Sequence, residues 1–207
     1  MIARALTPAE FDRARRVLMR RDARLGALMK KVGPCGLADS RTHDPFASLV
    51  RVIASQQLSA RAAETIFGRV AALAGGAAGL SPERVKTLDA AALRAAGLSR
   101  PKIAYLQDLA DHVLDGRLDL QALDGHPDEE VLAQITAVKG LGRWSAEMFL
   151  MFRLNRPDIF PTGDLGIVKG MQKLHGLKRR PAVRTMERLA EGWRPYRSVA
   201  AWYLWRV

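Results

Sequence analysis

A chain of 207 residues is long enough for one large domain or two small lobes around a shared core, and its 48% hydrophobic content is that of a globular protein, so disorder is not the default reading. The single cysteine, Cys35, excludes an intramolecular disulfide and any cluster held by four cysteines, so no iron–sulfur cluster is expected. The formal net charge of +12 points to a polyanionic partner, most simply nucleic acid.

The charge is unevenly spread. Residues 1–50 carry 10 Lys+Arg against 5 Asp+Glu, residues 51–164 carry 13 against 14, and residues 165–207 carry 10 against 2. A general compositional preference for arginine would not leave the middle neutral. The four histidines (His43, His112, His126 and His175) show no close metal-ligand spacing. "MIARALTPAEFDRARRVLMRR" lacks the apolar core of a signal peptide, and no stretch is long enough to span a membrane. The expected setting is cytoplasmic, associated with the nucleoid, without a membrane partner.

A helical pattern begins almost at Met1. "DPFASLVRVIASQ" follows, with Asp44 as N-cap and Pro45 at the first helical position. Ser59 is placed to cap "ARAAETIFGRVAALAGG", whose glycines suit a C-cap. Further starts are Ser81, Asp89 and Ser99. The helix after Ser99 sets Ile103, Leu106, Leu109, Ala110 and Val113 on one face. Pro127 opens a helix through "DEEVLAQITAV", and Leu165–Leu174, Ala182–Glu191 and Arg197–Trp205 complete the count. Only Arg117–Leu120 is ambiguous between strand and loop. No repeat of solenoid period occurs. The reading is all-α, compact, about ten helices.

"VKGLGRW" is where the pattern breaks. A helix that stops at Val138 and restarts at Arg143 turns within four residues. Gly140 and Gly142 permit positive φ and close approach of another molecule, and the first N–H groups of the new helix suit a phosphate. With Leu141 between the glycines and Lys139 and Arg143 beside them, the turn reads as a hairpin gripping a nucleic-acid backbone without reading sequence. Twenty residues past Trp144, "DIFPTGDLGIVKGM" makes a turn and places Asp164 at a helix start, ordinarily an N-cap.

Together, "VKGLGRWSAEMF" and "FPTGDLGIVKG" resemble the helix-hairpin-helix (HhH-GPD) DNA glycosylases, whose signature ends in a Gly/Pro-rich loop and an aspartate. "SQQLSARAAETIFGRV" and "EGWRPYRSVAAWYLW" are similar to the alkylated-base branch, that of DNA-3-methyladenine glycosylase II. The resemblance covers residues 44–207, with the hairpin motif at about 127–153. It implies one helical glycosylase domain over 1–207, a two-lobed bundle with an active-site cleft between the lobes. The N-terminal β-rich domain of the longer members is not expected.

The resemblance further implies excision of a damaged base from duplex DNA by a monomer. Asp164 would stabilise positive charge on the sugar or activate water. Gln57 would fill the gap left by the flipped nucleotide, with Gln56 and Leu58 as alternatives. Main-chain carbonyls of Thr136, Val138 and Leu141 would bind a monovalent cation (Na+ or K+), and no other cofactor is implied. Trp144 stands where lyase-competent members carry a Schiff-base lysine, so the expected enzyme is monofunctional.

A tryptophan face attracts a cationic alkylated purine such as 3-methyladenine or 7-methylguanine, which makes Trp144 a base-pocket residue. Trp205 falls where the family has a second pocket tryptophan, with core packing as the alternative. Met148 replaces a tyrosine there, while Trp193 and Trp202 read as core. Lys169 and Lys173 are expected on phosphates. Lys102 and Arg100 are either DNA contacts or a solvated helix start. The competing functions are a glycosylase for oxidised or deaminated bases and a non-catalytic DNA-binding module.

Overall fold

The computed structural model describes residues 4–37 and 44–207, so His43 lies outside the described residues. Among these residues all regular structure is helical, with twelve α-helices joined by turns and short 3-10 segments. Residues 117–120 form bends and a turn rather than a strand. Ten of the helices are those with sequence signals between Asp44 and Trp205. The other two arise because the N-terminal pattern divides at Asp22. There the backbone turns extended, the N–H closes the preceding helix on the Leu18 carbonyl, and Oδ1 accepts from Arg24 and Leu25 N–H (2.9 and 3.0 Å) to cap the next.

The chain forms two compact units. The described part of the first runs from 44 to 149. It holds α3 (Pro45–Ser55), α4 (Ala60–Leu73), α5 (Pro82–Thr87), α6 (Ala90–Ala95), α7 (Arg100–Leu114), α8 (Asp128–Thr136) and most of α9 (Arg143–Phe152). Asp44, Ser59, Ser81, Asp89 and Ser99 each accept a backbone N–H at the head of α3 to α7, as their residue types predict. α7 packs on α3, α5 and α6. Its expected apolar face is inward: Leu106, Leu109 and Ala110 are fully buried, with Ile103 and Val113 half-buried at its edges.

The second unit joins the two ends of the chain. α1 (Pro8–Arg21) and α2 (Ala23–Val32) pack with α10 (Leu165–His175) and α12 (Arg197–Leu204), accompanied by α11 (Val183–Ala190). Trp193 and Trp202 are core residues here, as expected; the Trp193 indole N–H donates to Asp22 Oδ2 (2.9 Å), and the Tyr203 hydroxyl donates to the Gly33 carbonyl (2.7 Å). This fold-back gathers both basic ends of the sequence. Residues 4–37 and 150–207 carry 21 Lys+Arg against 7 Asp+Glu, whereas residues 44–149 carry 11 against 13.

Candidate nucleic-acid interface and catalytic carboxylate

The hairpin is built from the C-terminus of α8 outward. α8 ends at Thr136, two residues earlier than the sequence indicated, because Val138 N–H turns back to the Ile135 carbonyl (3.2 Å) and tightens the exit. Leu141 N–H then donates to the Val138 carbonyl (3.1 Å). Val138 and Leu141 are buried and anchor the turn from below, while Lys139, Gly140, Gly142 and Arg143 are exposed along its rim.

The two glycines are required for different reasons. Gly140 adopts φ +78°, and a Cβ there would overlap the Tyr105 ring of α7. Gly142 has no positive φ, and a Cβ would meet nothing within 4 Å. Its carbonyl accepts from Ala146 N–H (3.2 Å), which makes it the residue at the head of α9. Among the described residues nothing needs Gly142 to lack a side chain. Arg143 reaches Glu147 Oε1 (2.9 Å) along α9, and Lys139 N–H donates to Asp108 Oδ2 of α7 (2.7 Å).

Between α3 and α4 the residues expected to enter the DNA part company. Gln57 is exposed with φ +60°, a left-handed conformation costing a non-glycine residue about 1–2 kcal/mol. Leu58 beside it is 43% exposed. Gln56 is turned inward: its Nε2 donates to the Gly140 carbonyl (2.9 Å) and lies 3.5 Å from Ser145 Oγ. Lys102 fits neither of its expected roles. It is half-buried, its Nζ donates to the carbonyls of Ala54 (2.9 Å) and Gln56 (2.8 Å), and desolvation pulls its pKa below the usual lysine range. Arg100 is exposed at the first position of α7.

Asp164 occupies the N-cap of α10, as its place after the Pro-Thr-Gly turn predicted. Its Oδ1 accepts from Ile167 N–H (2.9 Å) and from the Trp205 indole N–H (2.8 Å). Trp205 is half-buried and stacks on Phe152, with ring centroids 5.6 Å apart and planes inclined by 25°. Trp205 thus contacts the candidate carboxylate itself. Gly166 allows this approach, since a Cβ there would stand 2.5 Å from Trp205 Cδ1 and 3.0 Å from Asp164 Oδ1. Phe152 carried no functional signal in the sequence beyond closing an apolar run.

A cavity of about 570 Å³ opens beside Trp205, lined by Lys169, Gln172, Lys173 and Leu204 among others. Lys169 is exposed there, and Lys173 Nζ donates to the Val207 carbonyl (3.2 Å). Trp144 is half-buried in the first turn of α9. Met148, one turn on, is only 7% exposed. Among the described residues no cluster of His, Cys, Asp and Glu is arranged to hold a metal ion.

This arrangement has close counterparts. A family model described as HhH-GPD superfamily base excision DNA repair protein matches residues 50–195. DNA-3-methyladenine glycosylase 1 of Schizosaccharomyces pombe is 36% identical over 165 residues, covering 79% of this chain and 72% of that protein. The solved structure of the Schizosaccharomyces pombe 3-methyladenine DNA glycosylase in complex with abasic DNA superposes with a TM-score of 0.85 at 34% identity, over 94% of this chain and 95% of that one. A DNA-3-methyladenine glycosidase from Bacillus halodurans superposes with a TM-score of 0.76 at 39% identity, over 92% and 86% of the two chains.

Proposed function

The chain belongs to the HhH-GPD superfamily of base-excision DNA repair proteins, and we propose that it is a monofunctional DNA glycosylase that removes alkylated purines of the 3-methyladenine and 7-methylguanine type. The observation that carries this reading is the Asp164 carboxylate at the head of α10, held on Oδ1 by the Ile167 N–H and the Trp205 indole.

The rim of the hairpin takes the DNA backbone. Lys139 and Arg143 meet phosphates, and Gly142 lets a phosphate approach the main chain at the start of α9. Main-chain carbonyls are the donor type for Na+ or K+; those of Thr136 and Val138 lie at or just past the negative end of α8, and that of Leu141 follows in the same turn, so the residues fit such an ion. A cation bound there would supply positive charge facing the phosphate. Gln57, presented on an exposed turn beside Leu58, fills the stack when the damaged nucleotide leaves it.

The glycosidic bond then breaks with its electron pair going to the base. An alkylated purine that carries positive charge in the nucleotide departs neutral. The positive charge left on the deoxyribose is stabilised by the Asp164 carboxylate, and a water adds at the anomeric carbon, losing its proton to leave an abasic site. The Trp144 ring attracts the cationic base by about 0.5–2 kcal/mol. With Trp144 at the position of the lyase lysine, no amine attacks the sugar, and the strand stays intact.

The partner is damaged duplex DNA, bound by a monomer in the cytoplasm at the nucleoid. Among the described residues no helix is long and apolar enough to cross a membrane. The test is release of free base from methylated duplex DNA, followed by chromatography. Free 3-methyladenine or 7-methylguanine, with strand breaks only after alkali, is the expected result. Strand breaks without alkali, or release only of an oxidised or deaminated base, would overturn the reading.

A further inference from the structure

One face of α7 touches both elements that the proposed function assigns to DNA. Lys102, Tyr105 and Asp108 are spaced three residues apart, close to one helical turn each. Lys102 Nζ donates to the Ala54 and Gln56 carbonyls at the end of α3 (2.9 and 2.8 Å). The Tyr105 ring fills the space that a Cβ on Gly140 would need. Asp108 Oδ2 accepts the Lys139 N–H of the hairpin (2.7 Å). The Asp108 carboxylate is itself braced, since its Oδ2 lies 3.3 Å from His112 Nδ1 and Arg117 approaches His112 Nε2 at 2.9 Å. Gln56 links the two DNA elements directly, from its side-chain amide to the Gly140 carbonyl.

We infer that α7 is the template that sets the 55–58 turn in register with the hairpin, and that Lys102 is a positioning residue for Gln57 rather than a DNA contact. The Gln56 carbonyl belongs to the same peptide plane as the Gln57 nitrogen. Pinning that oxygen fixes the plane from which the Gln57 φ of +60° is measured, and so holds a conformation that costs a non-glycine residue about 1–2 kcal/mol. The second acceptor, Ala54, lies in the last turn of α3, where unpaired carbonyls and the negative end of the helix favour an ammonium. With both contacts made and its stem half-buried, Lys102 is directed at the protein's own backbone. This inference rests on Gln57 being the residue that enters the stack.

The experiment uses the full chain with Lys102→Met, Gln57→Ala and the double variant, plus Gln56→Ala as an independent break in the link. Lys102→Met is expected to bind undamaged duplex within about twofold of wild type with an unchanged salt slope, because no phosphate contact is removed. Its single-turnover release of 3-methyladenine should fall about tenfold, and the double variant should be no slower than Gln57→Ala, as groups acting in one unit are non-additive. Hydrogen exchange at the Gln57 and Leu58 amides of the free protein should quicken about tenfold in Lys102→Met.

Alkylating Lys102→Cys with 2-bromoethylamine rebuilds a lysine-like amine and should restore both rate and protection. Cys35 stays out of that reaction because burial pushes its thiol up to about 11. Unchanged amide exchange in Lys102→Met overturns the template. A salt slope lowered by one phosphate, or additive losses in the double variant, overturns it in favour of a direct DNA contact. If exchange quickens but Gln57→Ala excises at the wild-type rate, the template stands and Gln57 is not the residue that enters the stack.

Discussion

Replacing the hairpin glycines one at a time separates what the fold needs from what the ligand needs. In Gly140→Ala the new side chain sits at φ +78°, a left-handed backbone costing about 1–2 kcal/mol, and its methyl overlaps the Tyr105 ring near its root, where the ring cannot simply swing away. Overpacking of this kind costs a further 1–3 kcal/mol or so, for a total of about 2–5 kcal/mol. At about 2–4 °C per kcal/mol for a chain of this size, the melting temperature should fall on the order of 10 °C.

Gly142→Ala meets open space and loses at most about 1 kcal/mol as a poorer residue at the helix head, so its melting temperature should fall by no more than about 4 °C. Its affinity for duplex DNA should nevertheless drop about tenfold, because in the proposed binding mode the methyl would occupy the path of the phosphate. Thermal melting and fluorescence anisotropy with a labelled duplex measure the two effects. Tyr105→Ala combined with Gly140→Ala should cost less than the sum of the two single losses, since the overlap is then gone. A Gly140→Ala protein that melts within about 1 °C of wild type, or a Gly142→Ala protein that binds DNA normally, would refute the division of labour.

Three further perturbations address the carboxylate and the rim. Trp205→Phe keeps a ring to stack on Phe152 but removes the N–H on Asp164 Oδ1; single-turnover excision should fall about tenfold while stability changes by about 1 kcal/mol. Gly166→Ala sets about 0.5–1 kcal/mol of helix propensity against about 1–3 kcal/mol of overpacking and should lose excision, since its methyl would lie 2.5 Å from Trp205 Cδ1 and 3.0 Å from Asp164 Oδ1; excision at the wild-type rate would contradict the Trp205 contact. Lys139→Ala and Arg143→Ala should each weaken DNA binding equally on damaged and undamaged duplex and reduce the salt slope by about 1, read from titrations at several salt concentrations.

Helix starts were legible because their causes are local. Asp44, Ser59, Ser81, Asp89 and Ser99 need only a backbone N–H two or three residues ahead, and each has it. Asp164 was legible for the same reason as a cap, and for its spacing from the hairpin glycines as a catalytic candidate. The partner of its Oδ1 was not, since Trp205 lies 41 residues away and indole N–H groups serve core and site alike. Lys102 and Gln56 were hidden for a related reason. A lysine or glutamine at a polar helix end reads as solvent-facing, and only the return of the hairpin, 84 residues beyond Gln56, supplies its acceptor. The N-terminal helices illustrate the same limit. Their own pattern predicts amphipathic helices but carries nothing that assigns them to α10 and α12, and the gathering of charge into one unit follows only from that long-range pairing.

The most direct measurement is single-turnover base release from methylated duplex DNA by wild type and Asp164→Asn. Asparagine is as good an N-cap as aspartate, and its Oδ1 can still accept the Ile167 and Trp205 N–H groups, so fold and DNA affinity should persist. Only the charge is lost. Release should then fall at least about a hundredfold, the equivalent of about 2.7 kcal/mol of transition-state stabilisation. An Asp164→Asn protein that binds DNA and releases the base at the wild-type rate would contradict the assignment of the carboxylate, and with it the proposed chemistry.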